Sequence, residues 1–165
     1  MDETEVVVDT NVPLVANGKA DHVGWECVAA CVRKLRQVQA NRRTLLDDKW
    51  LIIEEYRRNL SHSGQPGVGD AFFKWLWENQ ANEQHCRIVP VTVHVDRGFA
   101  EFPDDARLSS FDLSDRKFVA VARASETGPK VLNATDTDWW HDRRALEENG
   151  ILIGFLCPEL MERKR

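Results

Sequence analysis

Val6-Val7-Val8-Asp9-Thr10-Asn11 near the start of the chain and Val131-Leu132-Asn133-Ala134-Thr135-Asp136-Thr137-Asp138 near its finish share one pattern, an apolar run that ends in a carboxylate. Consecutive valines suit a strand covered on both faces, as in a parallel sheet. A carboxylate just past such a strand lies at the carboxyl end of the sheet, where open α/β proteins place their ligands. If the two strands are neighbours, their acids face one crevice.

Outward from these stretches, strand and helix signals alternate, the pattern of βαβ units around a parallel sheet. A helix is expected from about His22 to Gln39, capped by Asp21, with Val23, Cys27, Ala30, Cys31 and Leu35 as its apolar stripe. A short strand over Arg43–Leu46 and a helix from Asp47 or Asp48 to Leu60 follow. The glycines and proline of residues 61–69 break that helix. They lack the lysine and spacing of a P-loop, so they read as a connector. A helix over Asp70–Asn79 precedes a strand over Cys86–Val93, which Pro90 marks as an edge strand. Asp112 caps a helix running through Ala122, Lys130–Ala134 forms the fourth strand, and Asp138–Asn149 is a helix closed by Gly150. Residues 151–156 supply the fifth strand. The fold class is therefore α/β, one domain over residues 1–165.

Composition agrees with that class and narrows the function. At 165 residues and 42% apolar, the chain is long enough to bury a core of its own. No apolar run approaches the ~20 residues of a membrane helix, and no basic segment precedes an apolar one at the N-terminus. The expected location is cytoplasmic, with no membrane partner. Cys27, Cys31, Cys86 and Cys157 read as buried free thiols, not as zinc ligands at turn spacing. A net charge of −5 argues against simple electrostatic capture of nucleic acid. It leaves room for an acidic metal site whose cations cancel the excess. Paired basic residues such as Arg42-Arg43, Arg57-Arg58 and Arg143-Arg144 read as solvated surface, some of them able to rim a phosphate site.

Asp9 and Asp136 end strands, and Asp115 shares a helical stripe with Phe111, Phe118, Val119 and Ala122. Each acid has an ordinary use as a cap or turn former. Together they make a less ordinary set, since three carboxylates converging without cations repel and raise one another's pKa values. Hard oxygen ligands suit Mg²⁺ or Mn²⁺. Such ions orient phosphates and lower the pKa of a bound water, so the reaction expected is phosphodiester hydrolysis.

On these residues the chain resembles a PIN-domain ribonuclease. Val7-Val8-Asp9-Thr10-Asn11 is similar to the family's opening strand and Asp-Thr-Asn turn. The stretch Ile52 to Leu60 resembles its second-acid helix, and Asp112 to Ala122 its third-acid helix. Asn133-Ala134-Thr135-Asp136-Thr137-Asp138 resembles the strand end where many members carry Thr-Gly-Asp-x-Asp, with Ala134 in place of the glycine. The resemblance implies a three-layer α/β/α sandwich around a five-stranded parallel sheet. It also implies a catalytic set of Asp9, Glu55, Asp115 and Asp136 around one or two divalent ions, with Asn11, Thr135 and Asp138 orienting the site.

Glu54 and Glu55 flank opposite edges of one apolar arc, so geometry leaves the second acid open. The family's register favours Glu55, directly before Tyr56, with Glu54 left to Arg58 or solvent. Trp25, Trp50, Trp75 and Trp77 read as core, while one of Trp139 and Trp140 is free to face substrate.

The implied activity is cleavage within single-stranded or looped RNA, leaving a 5′-phosphate and a 3′-hydroxyl. The roles it spans are a toxin with an antitoxin partner, an RNA-processing enzyme and a defence nuclease, as monomer or homodimer. The rival class is a catalytically degenerate PIN-like scaffold that binds RNA or a protein and uses the acids structurally. An aspartyl-phosphate phosphatase is a third reading. It ordinarily needs a second acid two residues after the nucleophile, where this chain has Asn11.

Overall fold

In the computed structural model, which describes residues 4–20 and 23–163, five parallel strands form one sheet. They are β1 (Glu5–Val8), β2 (Arg43–Asp47), β3 (Cys86–Val89), β6 (Lys130–Asn133) and β7 (Leu152–Phe155), in spatial order β3-β2-β1-β6-β7. A separate antiparallel pair, β4 (Val93–His94) and β5 (Gly98–Phe99), stands apart from it. Every residue of β1 is buried, so helices cover both faces of the sheet at its centre, as in a three-layer α/β/α arrangement. Full burial of Val6, Val7 and Val8 contributes about 1.5–3 kcal/mol each against an exposed reference. The order of the strands reverses at β1, which makes the gap between β1 and β6 the topological switch point.

The helices are α1 (Asn11–Ala16), α2 (Trp25–Asn41), α3 (Leu51–Asn59), α4 (Val68–Asn79), α5 (Arg116–Ala124), α6 (Thr137–His141), α7 (Arg143–Glu148) and α8 (Pro158–Arg163). The expected α/β alternation is present, with local differences. Asp21 and His22, the expected cap and first residue of α2, lie outside the described residues. The helix itself opens at Trp25 behind an extended Gly24. α1 was not among the expected elements, which passed from the Asp9-Thr10-Asn11 turn to the helix at about His22. Its proline sits in the first turn, where backbone N–H groups have no helical partner to lose. The single helix expected over Asp138–Asn149 is two, divided at Asp142. Asp112 caps a 3-10 turn, Leu113–Asp115, that leads into α5. β3 stops at Val89, before Pro90, and is an edge strand as its proline implied.

The connector of residues 61–69 is tied down. Asp70, fully buried, accepts the N–H groups of Ser61 at 2.8 Å and Gly67 at 3.0 Å and the amide of Asn17 at 3.0 Å. Gly69 is required here: a Cβ would lie 1.9 Å from the carbonyl oxygen of Pro13, so only glycine lets α4 lie against α1. That contact fixes α1, and with it the turn after β1.

Two expectations about the core are corrected. Cys27 and Cys157 form a disulfide across a sequence separation of 130, while Cys31 and Cys86 are the free buried thiols. Cys157 lies in the link after β7, and a pairing over such a separation leaves no local sequence signal. Burial pushes the thiols of Cys31 and Cys86 up to about 12. Trp25, Trp50 and Trp77 are not core residues: they are 77%, 51% and 45% exposed. Trp25 is two positions from Cys27, about 200° around α2 from the buried stripe. Trp75 does pack inward, stacked on Phe72 with centroids 6.1 Å apart.

Candidate metal centre

β1 and β6 pair in parallel register, with Val8 opposite Leu132, and the ladder continues as the N–H of Asp9 donates to the Leu132 carbonyl at 3.0 Å. The two chains therefore leave the sheet side by side at the switch point. Asp115 arrives from the turn before α5, a helix that packs on β1, β2 and β6. Carboxylate oxygens of Asp9, Asp115 and Asp136, one from each, all lie within 4.8 Å of one another.

Two of the three acids are held by backbone N–H groups. The N–H of Asn11 donates to Oδ1 of Asp9 at 3.0 Å, and the N–H of Asp138 donates to Oδ1 of Asp136 at 2.9 Å. Asn133 extends the same scaffold, its Oδ1 accepting the N–H of Asp136 at 3.1 Å. Asn11 orients the site through its side chain too, which accepts the N–H of Ala134 at 2.8 Å and so ties the β1 exit to the β6 exit. Asp138 contributes its N–H, while its carboxylate is exposed. Thr135 is half-buried in the turn between Asn133 and Asp136.

Glu55 stands beside this group. α3 is anchored by buried Ile52, Ile53 and Tyr56, and the Tyr56 hydroxyl donates to the Val8 carbonyl. That contact presents Glu55 to the β1 exit, where it accepts from the Thr10 hydroxyl and, at 2.7 Å, from the Lys117 ammonium. Glu54 faces out and pairs with Arg57 at 3.0 Å, not with Arg58. Thr10 and Lys117 were missed in the sequence. For Lys117 the signal was present: a lysine two residues past Asp115, at the start of the apolar run Phe118 to Ala122, has no cheap way to be buried. It is buried, donating also to the Ser114 carbonyl.

The electrostatics are those of an anionic cluster removed from water. Burial, then the charge of Asp115, holds Asp9 well above the usual carboxylate range, against the Asn11 N–H. Burial and the neighbouring Asp136 push Asp115 up to about 7, with Lys117 pulling the other way. Burial raises Asp136 as well, although its hydrogen bonds with the Asp138 N–H and with Asp115 oppose the rise. A hydrogen bond between two carboxyl groups needs a proton on one of them. The Oδ2 of Asp9 is buried with no partner. A buried carboxylate oxygen without a donor is costly unless a proton or a cation meets it. Three oxygen donors, one of them orphaned, fit a hard divalent ion such as Mg²⁺ or Mn²⁺.

Beside Asp136, a groove of about 480 Å³ is lined by Thr137, Asp138, Trp140, His141 and Arg143, among others. The guanidinium of Arg143 lies over the Trp140 ring at 3.9 Å. Trp139 is wholly buried against Phe111, so of the two tryptophans only Trp140 reaches the groove. Among the described residues, no helix is long and apolar enough to cross a membrane. Compared with models of protein families, with curated proteins and with solved structures, the chain finds no match in any of the three.

Proposed function

We propose that this chain is a divalent-metal-dependent endoribonuclease of the PIN-domain kind, acting on single-stranded or looped RNA. The observation that carries the proposal is the convergence of Asp9, Asp115 and Asp136 at the switch point of a parallel sheet, with a buried, orphaned oxygen on Asp9. These three would hold Mg²⁺ or Mn²⁺, which when bound supplies positive charge to orient a phosphate and to lower the pKa of a coordinated water.

The chain's own groups do the positioning. Asn11 and Asp138 fix the carboxylate rotamers of Asp9 and Asp136 through backbone N–H groups. Lys117 and Thr10 hold Glu55 beside the cluster, and on this reading its carboxylate would accept a proton from an attacking water. The groove past Asp136 offers room for the strand, with Trp140 and Arg143 as flat surfaces against which a base can stack.

The test is cleavage of a labelled RNA in Mg²⁺ or Mn²⁺. Activity is expected with either ion and abolished by EDTA, and Asp9→Asn is expected to be inactive. Cleavage undiminished in excess EDTA removes the metal mechanism. One observation favours a second reading: the Glu55 carboxylate is already neutralised by Lys117, as it would be in a scaffold that has lost catalysis. RNA bound tightly but cut under no metal condition would select that reading.

A further inference from the structure

Away from the acidic centre, three sulfurs gather in the core. Cys27 and Cys31 are one turn apart on the same face of α2, and Cys157 reaches them from the link between β7 and α8. Their sulfur atoms all lie within 4.8 Å of one another, and all three residues are buried. Cys27 and Cys157 are joined, leaving Cys31 as a third thiol that the disulfide does not use. Disulfide pairing accounts for two sulfurs in one place; it gives no reason for three.

We propose that on reduction Cys27, Cys31 and Cys157 become a three-thiolate site for one soft or borderline cation of the Zn²⁺ or Cd²⁺ class. Zinc–sulfur bonds of about 2.3 Å in tetrahedral geometry put ligand sulfurs about 3.8 Å apart, inside the spread these atoms already have. Thiolate donors select such ions over the hard ions suited to the carboxylate cluster, so the two centres sort cations by chemistry. Cys27 also lies in the first turn of a 17-residue helix, whose positive end favours a thiolate there. The interconversion balances. A dithiol gives two electrons and two protons to the Cys27–Cys157 bond and leaves as its own disulfide; cation binding then releases one proton from each of the three thiols. Either state ties the segment after β7 to α2, by a covalent bond under oxidising conditions and by a metal under reducing ones.

The experiment is a Cd²⁺ titration of the whole protein, reduced with a phosphine and then freed of reductant without air, read by thiolate-to-metal charge-transfer absorption. A band that saturates at a single equivalent and is displaced by Zn²⁺ is expected. The same protein left oxidised should show none, a comparison that needs no variant to fold. Loss of a direct ligand should cost more than loss of an outer-shell partner, so Cys31→Ser should weaken binding at least ~100-fold. Cys86→Ser and Asp9→Asn should leave the band in place, which separates this centre from the acidic one. No band in the reduced wild type, an equal band in the oxidised protein, or full binding by a folded Cys31→Ser overturns the proposal.

Discussion

Glu54 and Glu55 differ by one position and by nearly everything else. The Glu54 side chain is 44% exposed and pairs with Arg57 at the surface, whereas that of Glu55 is 15% exposed and bonded to Thr10 and Lys117 beside the acids. Glu55→Gln should therefore lower kcat at least ~100-fold, the scale of a positioned catalytic group, while Glu54→Gln stays within a few-fold. Both variants assayed on one RNA at matched metal decide it, and the reverse ranking would move the second acid by one residue. The partner is tested by stability. Lys117 and Glu55 make a 2.7 Å pair with little exposure on either side, and removing one member leaves the other buried and unpaired. Lys117→Met should cost about 3 kcal/mol, and Lys117→Met with Glu55→Gln clearly less than the two singles added. Additive losses in denaturant melts would show that the pair is not coupled.

Element by element, α3 shows how a carboxylate unrelated to the centre still sets it up. The Asp47 carboxylate accepts the N–H groups of Lys49 and Leu51 at 3.0 Å and of Ile52 at 2.9 Å, satisfying donors that a helix start leaves free. Asp47→Ala should cost about 1–2 kcal/mol, with Asp47→Asn milder because one acceptor survives. Equal melting temperatures for wild type and Asp47→Ala would show that the turn holds α3 without it. The sequence offered Asp47 or Asp48 as the cap itself; instead α3 opens at Leu51 behind a left-handed Trp50, and Asp47, the last residue of β2, reaches the first helical N–H groups from the strand. The strands were legible, since Val6-Val7-Val8 and Val131-Leu132 carry their burial in their composition. What could not be read were elements made by tertiary contact. β4 and β5 have two residues each, too few for a period to show. The break at Asp142 and the outward turn of Trp25 depend on neighbours distant in the chain. Asp9 and Asp136 were legible because a strand end is a local feature; for Lys117 the apolar run after it signalled burial, but its partner could not be read, because Glu55 lies 62 residues away.

For the molecule as a whole, the acids make stability depend on pH and on cations together. Asp9, Asp115 and Asp136 titrate above the ordinary carboxylate range in the folded chain, Asp115 at about 7. Between pH ~4 and ~7 the folded state thus binds more protons than the unfolded one, and stability falls as pH rises. Glu5 and Asp70 oppose this, but only at lower pH. Burial disfavours their charge, yet Thr127 and Arg43 around Glu5, and the Ser61 and Gly67 N–H groups around Asp70, outweigh it and hold both below the usual range. Their contribution is present above the unfolded carboxylate pKa and is lost only as pH falls below it. In EDTA the melting temperature should therefore drop from pH 5 to pH 8, and millimolar Mg²⁺ or Mn²⁺ at pH 8 should restore it, because a bound cation replaces the missing protons. Asp9→Asn removes one charge from the cluster, so without metal at pH 8 it should melt above the wild type and respond only weakly to the cation. A wild-type melting temperature that is flat or rising from pH 5 to 8 in EDTA would mean that water reaches the acids and relieves their repulsion. A cation response undiminished in Asp9→Asn would place the ion elsewhere.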